Sequence, residues 1–413
     1  MPHSRPRILF AWEMGENLGH ANKLARVAEQ LEGRADIIVA ARNPAAIRTM
    51  GPQLDATLLP APFVPSRVLA RGEAQGESFA GVLASSGWDN PQNLTALMEA
   101  WRNLMTLLRP DIVVTQAAPT AQMVSKQMQL PTVILGSSYD NPPLTVPMPA
   151  FAPDQPRSVA LALRQEADVL HTANTAIAAL FGAPAAARFA DLLRPDVSLL
   201  MTLPQLDCYA NTRDEGAEYL GPLISDTVGA TGARWANDDR AKVFAYLRPG
   251  SAEAAKTLGG LYRAALQHQV ILVAPGLVEQ DANRLTERGV QVFDSPLRLD
   301  KVLPDSDLGV SHAGHGISAG FLKYGLPQIA VPTHREQLLT TQAIARAKVG
   351  LGMVGSFDAA AIQALIDRTL TNSKISLKCR EVSDFIKETG SAAAAQRAGQ
   401  EILIFAAKID LSH

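Results

Sequence analysis

The sequence predicts an α/β protein of two doubly wound domains, each a parallel sheet with helices on both faces. Three observations lead there. At 413 residues the chain exceeds one ordinary hydrophobic core and suits two domains of about 200 residues each. Short apolar runs alternate with amphipathic segments along nearly the whole length, which is the signature of βαβ units. The pattern also restarts after an aperiodic stretch at 225–237, SDTVGATGARWAN, where a linker is expected. The expected division is a first domain over 1–225, a second over 238–385, and a final segment, 386–413, that could cross back onto the first domain.

The opening reads as strand 8–12, a glycine-bearing loop 13–19, helix 20–31 and strand 36–40. Such a βαβ unit needs a parallel sheet and a right-handed crossover. Residues 60–91 lack sustained periodicity and read as a long loop around a short helix. Helix 93–108 follows, with Leu94, Leu97, Met98, Trp101, Met105 and Leu108 on its apolar side. The run from Arg109 to Pro119 contains a buried strand, 132–135 is another, and a proline-rich loop with prolines at 142, 143, 147, 149, 153 and 156 leaves its carboxyl end. Helix 158–181 and strand 197–202 close the first half. Trp88, Met98, Trp101 and Met148 suggest an apolar acceptor lining, with core packing as the plainer explanation.

The second half opens with strand 243–247 and Arg248-Pro249-Gly250-Ser251, then a helix to 268. Strand 270–274, helix 279–288, strand 290–293 and strand 308–311 follow. There the chain breaks into His312-Ala313-Gly314-His315-Gly316 and turns helical over 317–324, stopping at Gly325. Free backbone N–H groups, the positive end of a helix dipole and glycines that permit close approach make this start a seat for a phosphate or pyrophosphate. Strand 328–331 ends in Pro332-Thr333-His334-Arg335, and Glu336-Gln337 opens the next helix. Two polar side chains thus stand at a strand's carboxyl end, where ligands sit in open α/β sheets and where sugar hydroxyls could be held. Helices over 336–348, 357–370 and from 375 onward complete the chain, broken near Gly390.

Composition narrows the function classes. With 47% apolar and 19% charged residues, and 38 Lys plus Arg against 40 acids, nothing advertises a nucleic-acid partner. Cys208 and Cys379 have no ligand spacing, so neither a disulfide framework nor a zinc site is expected. The apolar run 8–12 is too short for a signal peptide, and no stretch approaches the roughly 18 apolar residues of a membrane span. A cytoplasmic location is the expectation.

The order His312-x-Gly314-x-Gly316-x-Ser318, Gly325-Leu326-Pro327, Pro332 and Glu336-Gln337 resembles the donor signature of nucleotide-sugar glycosyltransferases of the GT-B fold. The likeness is to the family of macrolide, flavonoid and glucuronosyl transferases. The resemblance implies two Rossmann-like domains facing each other across a cleft. It places the donor diphosphate at His312, Gly314, His315, Gly316 and Ser318, near Gly250 and Ser251, and the hexose at Glu336 and Gln337. The turn holding Pro296 and Leu297 resembles the one that meets the nucleobase, uracil or thymine, of a UDP- or TDP-sugar.

Gly15-x-x-x-Gly19-His20, with Asn22 and Leu24, resembles the family's start, where the histidine is the general base. An imidazole near its ordinary pKa of about 6.5 can take a proton from an attacking hydroxyl. Where the family places an acid that orients it, this chain has Gln116, so either the neutral amide holds the ring and catalysis is weaker, or another acid such as Asp140 or Asp89 takes over. The expected activity is inverting transfer of a hexose from an NDP-sugar to a hydroxyl of a small, apolar acceptor, with no cofactor and no metal. The alternatives are an NDP-sugar epimerase or hydrolase of the same fold, or a non-catalytic sugar-nucleotide-binding partner.

Overall fold

The computed structural model describes residues 5–15, 18–65, 76–389 and 391–410. The chain divides into two compact units, one of residues up to 202, 209–220 and from 392 onward, the other of residues 203–208 and 221–391.

The first unit holds a six-stranded parallel sheet, from β1 (Arg7–Trp12), β2 (Asp36–Ala41) and β3 (Thr57–Pro60) to β4 (Ile112–Thr115), β5 (Thr132–Gly136) and β6 (Val197–Leu200). Their order is β3-β2-β1-β4-β5-β6. β1 from Ile8 onward, β4 and β5 are uninterrupted apolar or small residues because both faces of their sheet are covered. The helix Leu18–Glu29 buries Ala21, Leu24, Ala25 and Ala28, the i, i+3, i+4, i+7 stripe of a helix laid on a sheet. It begins two residues before the expected start, so His20 lies inside its first turn.

The core of this unit gathers Trp88, Trp101, Met98 and Met148, each no more than 3% exposed. The plainer explanation of these residues therefore holds: they are core, and no acceptor surface is built from them. The sequence reading also passes over the helices Pro44–Met50 and Pro119–Gln127 and the strand β3. Where it expects a loop around a short helix, the structure has the helix Phe79–Leu83 running into a π-helical turn, Ala84–Trp88; residues 66–75 of that loop lie outside the described residues.

The second unit repeats the design with β7 (Lys242–Tyr246), β8 (Gln269–Val273), β9 (Gln291–Phe293), β10 (Leu308–Ser311), β11 (Gln328–Ala330) and β12 (Gly350–Gly352). Its order is β12-β11-β10-β7-β8-β9, so taken from β7 it has the connectivity of the first sheet. That is the doubly wound dinucleotide-binding order, in which the crevice for a ligand opens where the winding reverses. The reversal falls between β1 and β4 in one unit and between β7 and β10 in the other.

The stretch expected as a linker is pinned to the second unit. Ala230 N–H donates to the Pro296 carbonyl at 2.8 Å, and the Trp235 indole N–H donates to the Val302 carbonyl at 3.1 Å. Asp226 accepts from the Tyr324 hydroxyl at 2.7 Å and pairs with Lys323. The last helix, Ser391–Asp410, belongs to the first unit from residue 392, where a Cβ on Gly399 would come within 2.8 Å of Gln30.

Candidate active site

In the first unit the site forms at the carboxyl ends of β1 and β4. Gln116 N–H donates to the Ala11 carbonyl at 2.9 Å, and Met14 N–H donates to the Ala117 carbonyl at 2.9 Å, so the two strand ends are laced together beyond the sheet. His20 stacks on Trp12, ring centroids 5.6 Å apart. On the imidazole edge, Gly15 takes a left-handed φ of +78°, and a Cβ there would lie 2.3 Å from His20 Nε2. Gly15 is therefore fixed twice, by its backbone conformation and by the ring.

His20 Nδ1 lies 2.9 Å from Gln116 Oε1. The buried Gln116 amide donates through Nε2 to Asp140 Oδ2 at 2.6 Å. Asp140 follows β5, where Gly136 allows Asn141 to fold back within a distance no side chain would tolerate. Its other oxygen accepts from Ser137 N at 2.7 Å and from Ser137 Oγ at 3.1 Å. Lys23, buried one turn beyond His20, brings Nζ to 3.5 Å from Asp140 Oδ2. Burial alone would raise the Asp140 carboxyl, but the Lys23 ammonium, the His20 ring and the Ser137 hydrogen bonds outweigh it and hold the group well below the carboxylate range. The His20 imidazole is pushed down to about 4, chiefly by burial; Asp140 opposes that shift and Lys23 adds to it.

Sequence reasoning thus brings together His20 and Gln116, and Asp140 is the one of its two alternative acids that reaches the pair. It did not find Lys23, Ser137 or the Trp12 stack. A second buried acid, Glu13, accepts from Thr120 N at 2.6 Å and from the Trp101 indole at 2.7 Å, tying β1 to the start of helix Pro119–Gln127. Burial pushes its carboxyl up to about 7 against those hydrogen bonds. Beyond Asp140 lies a cavity of 720 Å³ lined by Ala117, Asn141, Leu144, Leu193, Arg213 and other residues, with polar and apolar walls alike.

In the second unit the predicted donor residues follow β7, β10 and β11, apart from Pro296 and Leu297, which follow β9. Ser251 caps the helix Ala252–Ala264, its hydroxyl accepting from Ala254 N at 3.0 Å, and Gly250 precedes it at φ +107°. Gly314 is the N-cap of the helix His315–Lys323 and brings no side chain to its N–H groups; Gly316 is exposed on that first turn. His312 is nearly buried and turns Nδ1 to the Val331 carbonyl at 2.8 Å and Nε2 to the Arg248 carbonyl at 3.2 Å. Its ring lies among the ends of β7, β10 and β11. Ser318 is wholly buried on the inner face of its helix, so its hydroxyl is not presented at the surface with Gly314 and Gly316. Pro296 is exposed while Leu297 points into the core and its backbone bridges Ala230. Glu336 and Gln337 open the helix Arg335–Arg346, and Gln337 Oε1 accepts from the Thr333 N–H and hydroxyl, both at 2.9 Å.

Among the described residues no group of three or more His, Cys, Asp or Glu is placed to hold a metal ion, and no helix is long and apolar enough to cross a membrane.

Comparison with known proteins bears on the fold. Residues 241–397 match the glycosyltransferase family 28 C-terminal domain. Among solved structures, the calicheamicin glycosyltransferase CalG4 superposes with a TM-score of 0.67 at 15% identity, over 97% of this chain and 98% of that one. The glycotransferase of kitacinnamycin gives 0.66 at 17% identity, again over 97% and 98%. The spinosyn rhamnosyltransferase SpnG, solved with thymidine diphosphate, gives 0.63 at 14% identity over 95% and 99%; SpnG has also been solved with spinosyn aglycone. No curated protein matches by sequence. The chain has the GT-B architecture of nucleotide-sugar glycosyltransferases.

Proposed function

We propose that this protein transfers a hexose from a UDP- or TDP-sugar to a hydroxyl of a small acceptor, inverting the anomeric centre, with His20 as general base. The observation that carries the reading is the line His20–Gln116–Asp140 at the winding reversal of the first sheet. A direct attack by a hydroxyl needs a neutral imidazole and a group that favours its protonated form as the proton moves. Asp140 supplies that negative charge from one amide further away than a direct partner would, which supports a base at His20 although position 116 carries no acid.

The donor lies on the second unit in this reading. Its diphosphate meets the glycine start of helix His315–Lys323, whose dipole and N–H groups favour negative charge without a metal. The hexose meets Glu336 and Gln337, and the nucleobase meets the backbone near Pro296. His315, Gly250 and Ser251 border the phosphates. His312 lies among the strand ends.

The test begins with thermal shifts against UDP, TDP, GDP and their hexose conjugates. One sugar nucleotide is expected to stabilise the protein, with the shift reduced in Glu336→Ala. With that donor and a panel of hydroxylated acceptors, His20→Ala is expected to cut transfer by about 10²- to 10⁴-fold while the donor's thermal shift stays. Undiminished turnover in His20→Ala would remove the base from the mechanism, and no shift with any nucleotide would remove the donor site.

A further inference from the structure

We propose that Asp140 is a positioning residue that selects the tautomer of His20, acting through the Gln116 amide without touching the ring. The proposal rests on the reading of His20 as the base and adds what prepares it. A carboxylate accepts hydrogen bonds and cannot donate them, so the Gln116 group 2.6 Å from Asp140 Oδ2 has to be the amide nitrogen. The amide oxygen is then turned to His20 Nδ1 at 2.9 Å, and an oxygen there requires a proton on Nδ1. A neutral imidazole carries one N–H, so the lone pair is left on Nε2, the nitrogen on the Gly15 edge.

By itself a glutamine would not do this. Its amide can turn over and offer either an acceptor or a donor to the ring, so it serves both tautomers equally. The carboxylate breaks that symmetry. Asp140 in turn must stay ionised, because a protonated carboxyl could donate to the amide oxygen and turn the amide round. The Ser137 N–H and hydroxyl on one oxygen and the Lys23 ammonium beside the other keep it an acceptor. His20 and Lys23 sit three residues apart on the helix Leu18–Glu29, so one helix carries the base and the cation that fixes the state of its orienting acid.

The arrangement also has an electrostatic consequence. The ring faces a dipole, with the charge one amide further off and shared with Lys23, so His20 is a weaker base than an imidazole in direct contact with a carboxylate. The charged groups facing the ring are Asp140 and Lys23; Glu13 is engaged by Thr120 and Trp101.

The experiment uses the full chain labelled with ¹⁵N-histidine, with the His20→Ala spectrum assigning the resonances of His20. At pH 7 His20 is expected as the Nδ1–H tautomer alone. In Asp140→Asn the amide at 140 can donate as well as accept, Gln116 is released, and an Nε2–H population is expected for His20. Retention of pure Nδ1–H in Asp140→Asn would overturn the proposal. Because that variant leaves the Lys23 ammonium without its partner and can fail to fold, the exchange Gln116→Glu with Asp140→Asn is the second arm, keeping one carboxylate and one amide in the cluster. It is expected to hold Nδ1–H and to raise the His20 titration midpoint by about one pH unit or more, since the charge now touches the ring. An unmoved midpoint in a folded exchange variant would likewise overturn it. Failure of His20 as the base shows separately, as transfer surviving His20→Ala whatever the tautomer.

Discussion

Gly15 is where a single methyl group reports most directly on the imidazole. Gly15→Ala would need a left-handed backbone and would set its Cβ 2.3 Å from Nε2, so the ring must leave Trp12 or the loop must move. Transfer is expected to fall by about tenfold or more, as misplacement of a reacting group by about 1 Å can cost 10²-fold, with the donor's thermal shift unchanged; steady-state rates check it.

The pH behaviour follows from two groups. His20, pushed down to about 4, stays neutral above that value, so kcat/KM is expected to lose its acid limb near pH 4 and not near 6.5. Its contribution to stability is present above the unfolded value of 6.5 and is lost as pH falls through about 4. Glu13 runs the other way. Its carboxyl, raised from 4.5 to about 7, contributes stability that is full below 4.5 and lost as pH rises through about 7. Glu13→Gln is expected to abolish the loss of stability as pH rises through about 7 and to unmask the opposing His20 slope, so that Tm rises more steeply with pH between 4.5 and 6.5, measured by calorimetry across that window; an identical profile would refute it.

His20 was legible from its place after the first strand together with the resemblance, and Gln116 through the resemblance alone, which puts an acid at that position. The Lys23–Asp140 pair was not. It joins a helix after β1 to a loop after β5, and no local pattern records which of several acids a lysine will meet.

At the scale of elements, strand and glycine decide how close a helix can lie. Gly309 in β10 faces the ring of Phe321, where a Cβ would come within 2.6 Å, so the helix His315–Lys323 rests directly on the strand. Gly309→Ala is expected to destabilise the protein by about 1–3 kcal/mol through overpacking, read as a lower urea midpoint, and to weaken nucleotide binding with it. A variant as stable as the parent would show that the helix can shift.

Elements buried on both sides were readable as apolar runs, whereas Pro119–Gln127 was not. Its residues PTAQMVSKQ bury nearly every side chain, polar ones included, so no 3.6-residue contrast appears. The π turn at Ala84–Trp88, with Gly87 at φ +96°, is equally silent in the sequence. Ser318 illustrates a one-residue problem. A hydroxyl one position after the half-buried Ile317 is turned by about 100° around the helix, which takes it fully into the core.

For the whole molecule, the doubly wound plan was legible because strand and helix periods differ and alternate. Which strand lies beside which is not written in either period. It follows from the right-handed crossover and from where the winding reverses. The finer partition was not legible at all: residues 203–208 side with one unit and 209–220 with the other. Removing residues from 391 onward is expected to lower the unfolding temperature of the first unit, because Ala394, Ala398 and Ile402 lose their burial. Calorimetry of the shortened chain, resolved by hydrogen exchange in the two sheets, checks it; equal protection in both units would count against it.

The backbone changes unit at 202–203, 208–209, 220–221 and 391–392. A protease that severs the chain once at 220–221 therefore does not free two products. The carboxyl-terminal fragment keeps a helix that belongs to the other piece, and the nicked molecule should elute from a sizing column as one species until denaturant parts it.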